Sequence, residues 1–337
     1  MYEEEKENHR KRAREKDFHF SGPSKDLLIR FYRAASIDKF VNTSQKVTEN
    51  EHVFVECVLF ENFDESGIIR INNPYYDTKV LVSTSSFFNA SSRCDGGCIY
   101  LSKSGSFVQY KICSYGCKLP YLEFFSGAHS YIEVTNDENH VNYVIESSFT
   151  QSTGRNTIMY HKYGSQIFSS INITNSKSQG NAAFESLRPY SLSTTDFSNF
   201  YNITSERRCC FLHEYNTHQF EFSNVINNTV FQNYDQIFCP LSGAELTIEQ
   251  CFFKANKASY LYSFRVTTTY VFRCHIESDN KFTDQINIRY PKEMTEIILS
   301  KLHSSFLCEV ISRNKKDSII FPNICISGSI PVFLSNR

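Results

Sequence analysis

Two pairs of charged residues have a spacing that could support acid–base chemistry. Glu221 and Glu245 lie 24 positions apart, and so do Glu249 and Arg273. Facing carboxylates cleave glycosidic bonds in hydrolases, and an arginine can act as the base of a polysaccharide lyase. Carboxylates that lie close together can also make one of the pair a proton donor. Glu221, Glu245 and Arg273 are therefore the candidate catalytic residues, although Glu249 and Arg273 could equally form an exposed ion pair worth about 0–1 kcal/mol.

Four cysteines could bind a metal ion. Cys94 and Cys98 are four positions apart, as are Cys113 and Cys117, and a short segment separates the two pairs. Four thiolates would suit tetrahedral zinc, although structural zinc sites usually use Cys-x2-Cys turns. If the protein is secreted, each pair could instead form a disulfide.

A second cluster, Cys209, Cys210 and His213, could also offer metal ligands. Other cysteines fall inside apolar strand patterns, where Cys behaves as a small buried side chain. We expect most of the 12 cysteines to be free thiols.

Composition limits the classes of partner. Lys and Arg total 35 and Asp and Glu total 36, so the formal charge is −1. This balance gives no reason to expect nucleic acid or an anionic membrane as a partner. The sequence has no phosphate loop, dinucleotide fingerprint, nucleophile elbow or His-Glu-x-x-His motif, and no cofactor is predicted.

The elements that would position these residues form a repeat. Three sets keep their side-chain character at an offset of 24 positions: Val144, Phe168 and Leu192; Phe149, Ile173 and Phe197; and Gln151, Asn175 and Asn199. A second register with the same offset contains three pairs: Leu246 with Tyr270, Ile248 with Phe272, and Phe252 with Ile276. Alternating apolar and polar residues predict strands with one buried face.

Such short strands cannot bury their apolar faces alone, so successive turns of chain must stack on one another. The sequence therefore predicts an all-β fold, a single-stranded right-handed parallel β-helix or solenoid. Gln151, Asn175 and Asn199 would form an amide ladder between turns. Their alternative role is as exposed turn residues.

The chain divides into four predicted segments. Residues 1–22 form a charged disordered tail, and residues 23–50 form a capping helix and the segment that leads into the solenoid. The helix follows Ser24 as N-cap and covers the open end of the sheets. The parallel β-helix spans residues 51–325, and a C-terminal segment spans residues 326–337.

One tract resembles a known group of proteins. Gly96-Gly97-Cys98-Ile99-Tyr100-Leu101 is followed by turns such as Cys251-Phe252-Phe253-Lys254-Ala255-Asn256. These motifs resemble large β-helix families of parasitic protists such as trichomonads, which are similar to the polymorphic membrane proteins of bacteria. The resemblance covers residues 51–325 and implies the pectate-lyase-like superfamily, surface display and adhesion. The chain departs from the pattern because it has one Gly-Gly-x-Ile copy.

These observations predict a non-catalytic interaction or surface-scaffold protein with a protein or glycan partner. The alternative is a carbohydrate-active β-helix enzyme that uses stacked acidic residues. The sequence shows no apolar run of transmembrane length and no apolar core of a signal peptide. Taken by itself, it therefore predicts a cytoplasmic protein. The family resemblance implies the cell surface instead, if the chain is a fragment. The oligomeric state is left open.

Overall fold

A computed structural model describes residues 25–32, 39–41, 43, 45–48, 52–64, 67–120, 125–231, 236–262, 268–277 and 287–289. The chain divides into two compact units, Met1–Ala35 and Ser36–Arg337. The first contains one α-helix, Lys25–Tyr32, in which Leu28 and Tyr32 are buried. These residues are four apart and therefore share one face of the helix. The helix is present as predicted, while its capping role stays a prediction.

The second unit is a parallel β-helix, which confirms the predicted fold class. All the strand pairs in its described residues are parallel, and neighbouring strands in a sheet come from successive turns of chain. A representative turn passes through Ser165–Ser169, Asn172–Thr174, Lys177–Ser178 and Phe184–Leu187 before it returns to the first sheet. We number the four sheets in this order.

Sheet 1 has eleven strands: Lys39–Val41, Val53–Glu56, Lys79–Ser83, Ser106–Tyr110, Val141–Ile145, Ser165–Ser169, Ser193–Asp196, Thr217–Glu221, Glu245–Glu249, Thr268–Phe272 and Asn287–Arg289. Sheet 2 has nine: Leu59–Glu61, Ser86–Phe88, Cys113–Tyr115, Ser148–Thr150, Asn172–Thr174, Asn199–Tyr201, Asn224–Ile226, Phe252–Lys254 and His275–Ile276.

Sheet 3 has four short strands: Thr153–Gly154, Lys177–Ser178, Thr204–Ser205 and Thr229–Val230. Sheet 4 has eight: Ile69–Asn72, Ile99–Ser102, Ser130–Glu133, Met159–Lys162, Phe184–Leu187, Cys209–Glu214, Gln236–Leu241 and Tyr260–Tyr262.

The bend between sheets 1 and 2 is built the same way in the nine turns in which both strands beside it are described. One residue adopts a left-handed conformation with positive φ, at Cys57, Thr84, Lys111, Glu146, Ser170, Phe197, Phe222, Gln250 and Arg273. A serine often follows it. The Ser147 hydroxyl, for example, donates to Ile145 O at 2.8 Å and accepts from Ile112 N at 3.1 Å. This arrangement satisfies backbone groups that the bend removes from the sheets.

The core is the column of side chains enclosed by the sheets. Its largest fully buried members are phenylalanines, including Phe168 from sheet 1, Phe200 from sheet 2 and Phe184 from sheet 4. The Phe168 and Phe184 rings stack at 5.0 Å, and Phe184 contacts Phe200 at 5.9 Å. Burying each such ring contributes about 1.5–3 kcal/mol.

The first predicted register is confirmed for two turns and wrong for the third. Val144 pairs with Phe168 and Phe149 pairs with Ile173, as expected. The next partners are Thr195 and Phe200 instead of Leu192 and Phe197. The turn that ends at the Phe197 bend is three positions longer than the turn before it, so the constant offset falls short by that amount. Phe197 occupies the bend itself and is 46% exposed.

The second predicted register is wrong by one position. Leu246 pairs with Thr269 and Ile248 pairs with Val271, because the turn that ends at the Arg273 bend is one position shorter than the predicted repeat. A one-residue slip moves every side chain of a strand to the opposite face. Tyr270 and Phe272 consequently lie in the columns of Thr247 and Glu249.

The predicted amide ladder exists with partly different members, since Asn175 belongs to it but Asn199 does not follow Asn175. Asn199 donates to Asn172 at 3.0 Å in sheet 2. At the bend that follows sheet 2, Asn202 donates to Asn175 at 2.8 Å and Asn227 donates to Asn202 at 3.3 Å. We call Asn175, Asn202 and Asn227 the asparagine column.

Candidate functional site

Three tyrosines form a column on the outer face of sheet 4. Tyr100, Tyr131 and Tyr160 are direct partners on three successive strands. Their neighbours Leu101, Ile132 and His161 are buried, because residues alternate between the two faces of a strand. The ring centroids of Tyr100 and Tyr131 are 5.3 Å apart, and those of Tyr131 and Tyr160 are 4.4 Å apart with an interplanar angle of 4°. We call these three tyrosines the tyrosine column.

The rings stack on each other, so the column presents ring edges and hydroxyls outward. Arg70, their partner on the preceding strand, covers the first ring with its guanidinium carbon 4.1 Å from the Tyr100 centroid. Burial raises the pKa of Tyr131, and it raises the pKa of Tyr160 to about 12. Both phenols therefore remain protonated near neutral pH, where each can donate and accept a hydrogen bond.

Charged groups flank the tyrosine column. Lys162 Nζ lies 2.9 Å from Glu133 Oε1, next to Tyr160 and Tyr131 along their strands. On the other side, Asp95 Oδ1 accepts from Ser126 N at 2.7 Å. Burial raises the pKa of Asp95. The outer face thus offers hydroxyl, carboxylate and ammonium groups side by side.

The same column continues into a buried carboxyl group. Glu185 is the partner of Tyr160 on the next strand, and burial raises its pKa from 4.5 to about 7. Asn181 Nδ2 donates to Glu185 Oε1 at 2.9 Å. Leu212 and Cys239 follow in the column and are also buried. The face therefore changes from polar to apolar along the solenoid axis.

The structure separates the predicted catalytic glutamates. Both lie on sheet 1, but Glu245 pairs with Thr217, whereas Glu221 pairs with Glu249. Since Thr217 is four positions from Glu221, about 13 Å of strand separates the two sites. The turn between them is four positions longer than the predicted repeat, which is the reason that a constant offset does not superimpose them.

A different acidic column occupies this face. Asp196, Glu221 and Glu249 are partners on three successive strands. Burial raises the pKa of Asp196. Gln219 Nε2 donates to Glu221 Oε1, and Arg273 Nη1 lies 3.9 Å from Glu249 Oε1. Arg273 and Glu249 thus form the ion pair that was the alternative to a catalytic role.

The four candidate zinc ligands do not converge as a set. Cys98 and Cys117 are fully buried inside the solenoid, and their sulfur atoms lie 2.6 Å apart. Cys94 is a half-buried free thiol, and Cys113 is disulfide-bonded, as is Cys57. The ligand atoms of Cys98, Cys117 and His129 lie within 4.8 Å of one another.

His129 was not a candidate from the sequence, although a signal for it exists. Gly96-Gly97-Cys98-Ile99-Tyr100 and Gly127-Ala128-His129-Ser130-Tyr131 have the same Gly-x-x-x-Tyr spacing. The two segments are adjacent, with Gly97 N donating to Gly127 O at 2.8 Å and Cys98 N donating to His129 O at 2.9 Å. The offset between the segments is seven positions longer than the predicted repeat, so a search at that repeat misses the match.

The second cysteine cluster is divided between two environments. Cys209 belongs to a small apolar cluster with Leu212 and Cys239, whereas Cys210 belongs to the main core. His213 Nδ1 lies 3.1 Å from His218 Nδ1. These side chains therefore do not share one site.

Comparisons with models of known protein families, with curated proteins and with solved structures give no match. Among the described residues, no helix has the length and apolar character needed to cross a membrane.

Proposed function

We propose that this chain is a non-catalytic scaffold that binds an extended glycan along the outer face of sheet 4. The observation that supports this function best is the tyrosine column. Adjacent strands lie about 4.8 Å apart, so the column repeats a neutral hydroxyl at that interval. A polyhydroxylated chain that lies along the solenoid axis could pair with these donors and acceptors in succession.

The parts of the tyrosine rings that stay uncovered determine how a ligand could contact them. Arg70 and the neighbouring rings occupy both faces of Tyr100 and Tyr131 and one face of Tyr160, which leaves mainly edges and hydroxyls for a ligand. Glu133 and Lys162 add a charged acceptor and donor beside them. Tyrosine provides contact area and a hydroxyl at low entropic cost, which favours a role in recognition.

The acidic column supports hydrolysis less well. Asp196 and Glu221 extend in the same direction from one sheet, whereas a hydrolase needs carboxyl groups on both sides of the scissile bond. Glu249 is paired with Arg273. We therefore favour binding without cleavage.

The test is binding of the full chain to an array of immobilised polysaccharides. The double variant Tyr131→Phe/Tyr160→Phe keeps both rings and removes both hydroxyls. We expect it to weaken binding about tenfold or more, because each lost hydrogen bond contributes about 0.5–1.5 kcal/mol. The matched control is Tyr115→Phe, which alters the stacked pair Phe88 and Tyr115 on sheet 2. Equal weakening by the control, or binding of wild-type protein to other proteins but to no polysaccharide, would contradict the proposal.

We also propose, from the family resemblance, that this scaffold acts in adhesion at the cell surface. A membrane-impermeant labelling reagent applied to intact cells that produce tagged full-length protein tests this location. Labelling of the tagged protein is expected. Signal that appears only after lysis would remove the adhesive role and leave glycan binding to be judged by the array.

A further inference from the structure

Cys98 and Cys117 lie inside the solenoid, and their sulfur atoms are closer together than two free thiols can stably lie. Their sulfur atoms are 2.6 Å apart, and both residues are fully buried. Non-bonded heavy atoms prefer about 3.5–4.0 Å, whereas bonded sulfurs lie about 2.05 Å apart. The covalent bond is therefore the nearest stable arrangement.

The backbone on the N-terminal side of each cysteine is adapted to bring the pair together. Gly97 precedes Cys98, and a Cβ at Gly97 would lie 1.9 Å from Ala128 O. Gly116 precedes Cys117, has φ +66°, and would place a Cβ 2.6 Å from Asn89 Oδ1. The neighbour at Gly97 is a backbone atom, so only glycine allows that close approach. Gly116 occupies a left-handed bend position, which glycine adopts without strain.

His129 completes the cluster. Its Nε2 lies 2.6 Å from Gln109 Nε2, and its buried Nδ1 has no hydrogen-bond partner among the described residues. Burial alone would raise the pKa of the Cys117 thiol, but its hydrogen bond to Cys98 and the nearby His129 lower that pKa below its usual value. Burial keeps the pKa of Cys98 high. Thiol–disulfide exchange requires a thiolate that attacks a disulfide, so this pair can close only with a small-molecule disulfide as the oxidant.

We propose that Cys98 and Cys117 form a disulfide that joins two turns of the solenoid through its interior. The Cys117 thiolate attacks a small-molecule disulfide, forms a mixed disulfide and releases one small thiolate, which takes up the proton that Cys117 has lost. The Cys98 sulfur then attacks the Cys117 sulfur, releases the second small thiol and loses its own proton to it. Two protein thiols are oxidised, and one disulfide is reduced to two thiols. Because both cysteines are buried, the exchange takes place before the turns close around them.

The sulfur positions favour this bond over a metal ion. Two thiolates bound to one zinc at about 2.3 Å in tetrahedral geometry lie about 3.7 Å apart. The sulfurs would have to separate by about 1 Å to bind zinc and approach by about half that to form the bond.

The experiment is peptide mapping of the full chain after folding in a buffer of reduced and oxidised glutathione. The folded protein is denatured with an alkylating reagent but without reductant, and then digested. We expect a cross-linked peptide that contains Cys98 and Cys117, with Cys94 alkylated. Cys94→Ser is the matched control and should keep the cross-link, whereas Cys98→Ser should leave Cys117 alkylated.

Several results would overturn the disulfide. Alkylation of both Cys98 and Cys117 in the oxidised protein would do so, as would a link between Cys94 and Cys98. One equivalent of zinc bound to protein in which both thiols resist alkylation until a chelator is added would show a metal site instead.

Discussion

At the scale of single residues, Glu185 shows how burial controls a charge. It follows the tyrosine column on sheet 4, is almost fully buried, and accepts one hydrogen bond from Asn181. Because burial raises its pKa in the folded state to about 7, the folded protein holds this proton more tightly than the unfolded chain. Stability therefore falls as pH rises from 4.5 to about 7, when the group must ionise in an apolar site.

The variant Glu185→Gln keeps the hydrogen bond from Asn181 and removes the ionisation. We expect it to have wild-type stability near pH 4.5 and to be more stable at pH 8 by up to about 3 kcal/mol. Urea denaturation at both pH values measures the difference. The control is Glu214→Gln, since Glu214 pairs at 3.6 Å with Arg188, whose side chain is 46% exposed, so the loss of this pair should change stability by less than about 1 kcal/mol. A variant that is less stable than wild type at pH 8 would show that Glu185 is ionised and stabilising.

At the scale of elements, the bends determine how strands are stacked. The asparagine column occupies left-handed positions, with φ of +49° at Asn175, +53° at Asn202 and +55° at Asn227. Asn adopts this conformation more readily than most residues, and its amide also bonds the turns above and below. The column therefore combines a conformational preference with a tie between turns.

Two substitutions at Asn202 separate these contributions. Asn202→Gly keeps the left-handed conformation without strain and removes the two amide bonds, whereas Asn202→Ala removes the bonds and adds the left-handed cost of about 1–2 kcal/mol. We expect both variants to be destabilised in thermal or urea unfolding, with Ala below Gly by about that amount. If Asn202→Gly were as stable as wild type, the hydrogen bonds of the asparagine column would make no net contribution to stability. If Asn202→Ala were as stable as Asn202→Gly, the bend would be able to change its conformation to accommodate alanine.

At the scale of the whole molecule, the solenoid encloses polar side chains as well as phenylalanines. His161 Nδ1 donates to Asn142 Oδ1 at 2.6 Å, and Ser130 Oγ lies 3.0 Å from His161 Nε2, where the hydroxyl can donate. His218 Nε2 donates to Tyr215 O at 2.8 Å. Burial lowers the pKa of His161 to about 3, that of His218 to about 4, and that of His213 in the same direction. These interior histidines are neutral in the folded protein.

A lowered histidine pKa makes the solenoid sensitive to acid. The unfolded chain takes up protons below about pH 6.5 that the folded chain does not bind, so stability is lost as pH falls from 6.5 towards the folded pKa. At pH 5 the loss for His161 alone is about 2 kcal/mol relative to pH 8. His161→Gln should lose about 2 kcal/mol less than wild type between pH 8 and pH 5, measured by urea denaturation at each pH. Identical losses in the two proteins would show that His161 is protonated in the folded state.

The architecture could be predicted from the sequence because it depends on patterns within short segments of the chain. Alternation of apolar and polar residues specifies strands with one buried face, and strands too short to stand alone must stack. Pairs such as Phe149 with Ile173 and Val144 with Phe168 follow where the turn has the length of the predicted repeat. The Glu249 and Arg273 ion pair was foreseen for the same reason, although their ladder positions differ by one.

The tertiary structure alone decided which side chains meet. Hydrogen bonds between successive bends join positions separated by as few as 23 in sequence, from Cys251 to Cys274, and by as many as 35, from Ile112 to Ser147. Nothing in the alternation pattern shows where a turn has gained residues. Residue spacing specifies the faces of a strand, whereas backbone hydrogen bonds between turns select the register.

The register in turn sets the chemistry of each column. Glu221 lies beside Asp196 and Glu249 instead of Glu245. The tyrosine column forms although neither offset between its members equals the predicted repeat, and His129 reaches Cys98 and Cys117 from a longer turn. Strand faces are a local property of the chain, but the neighbour of each side chain depends on the length of the whole turn that separates them.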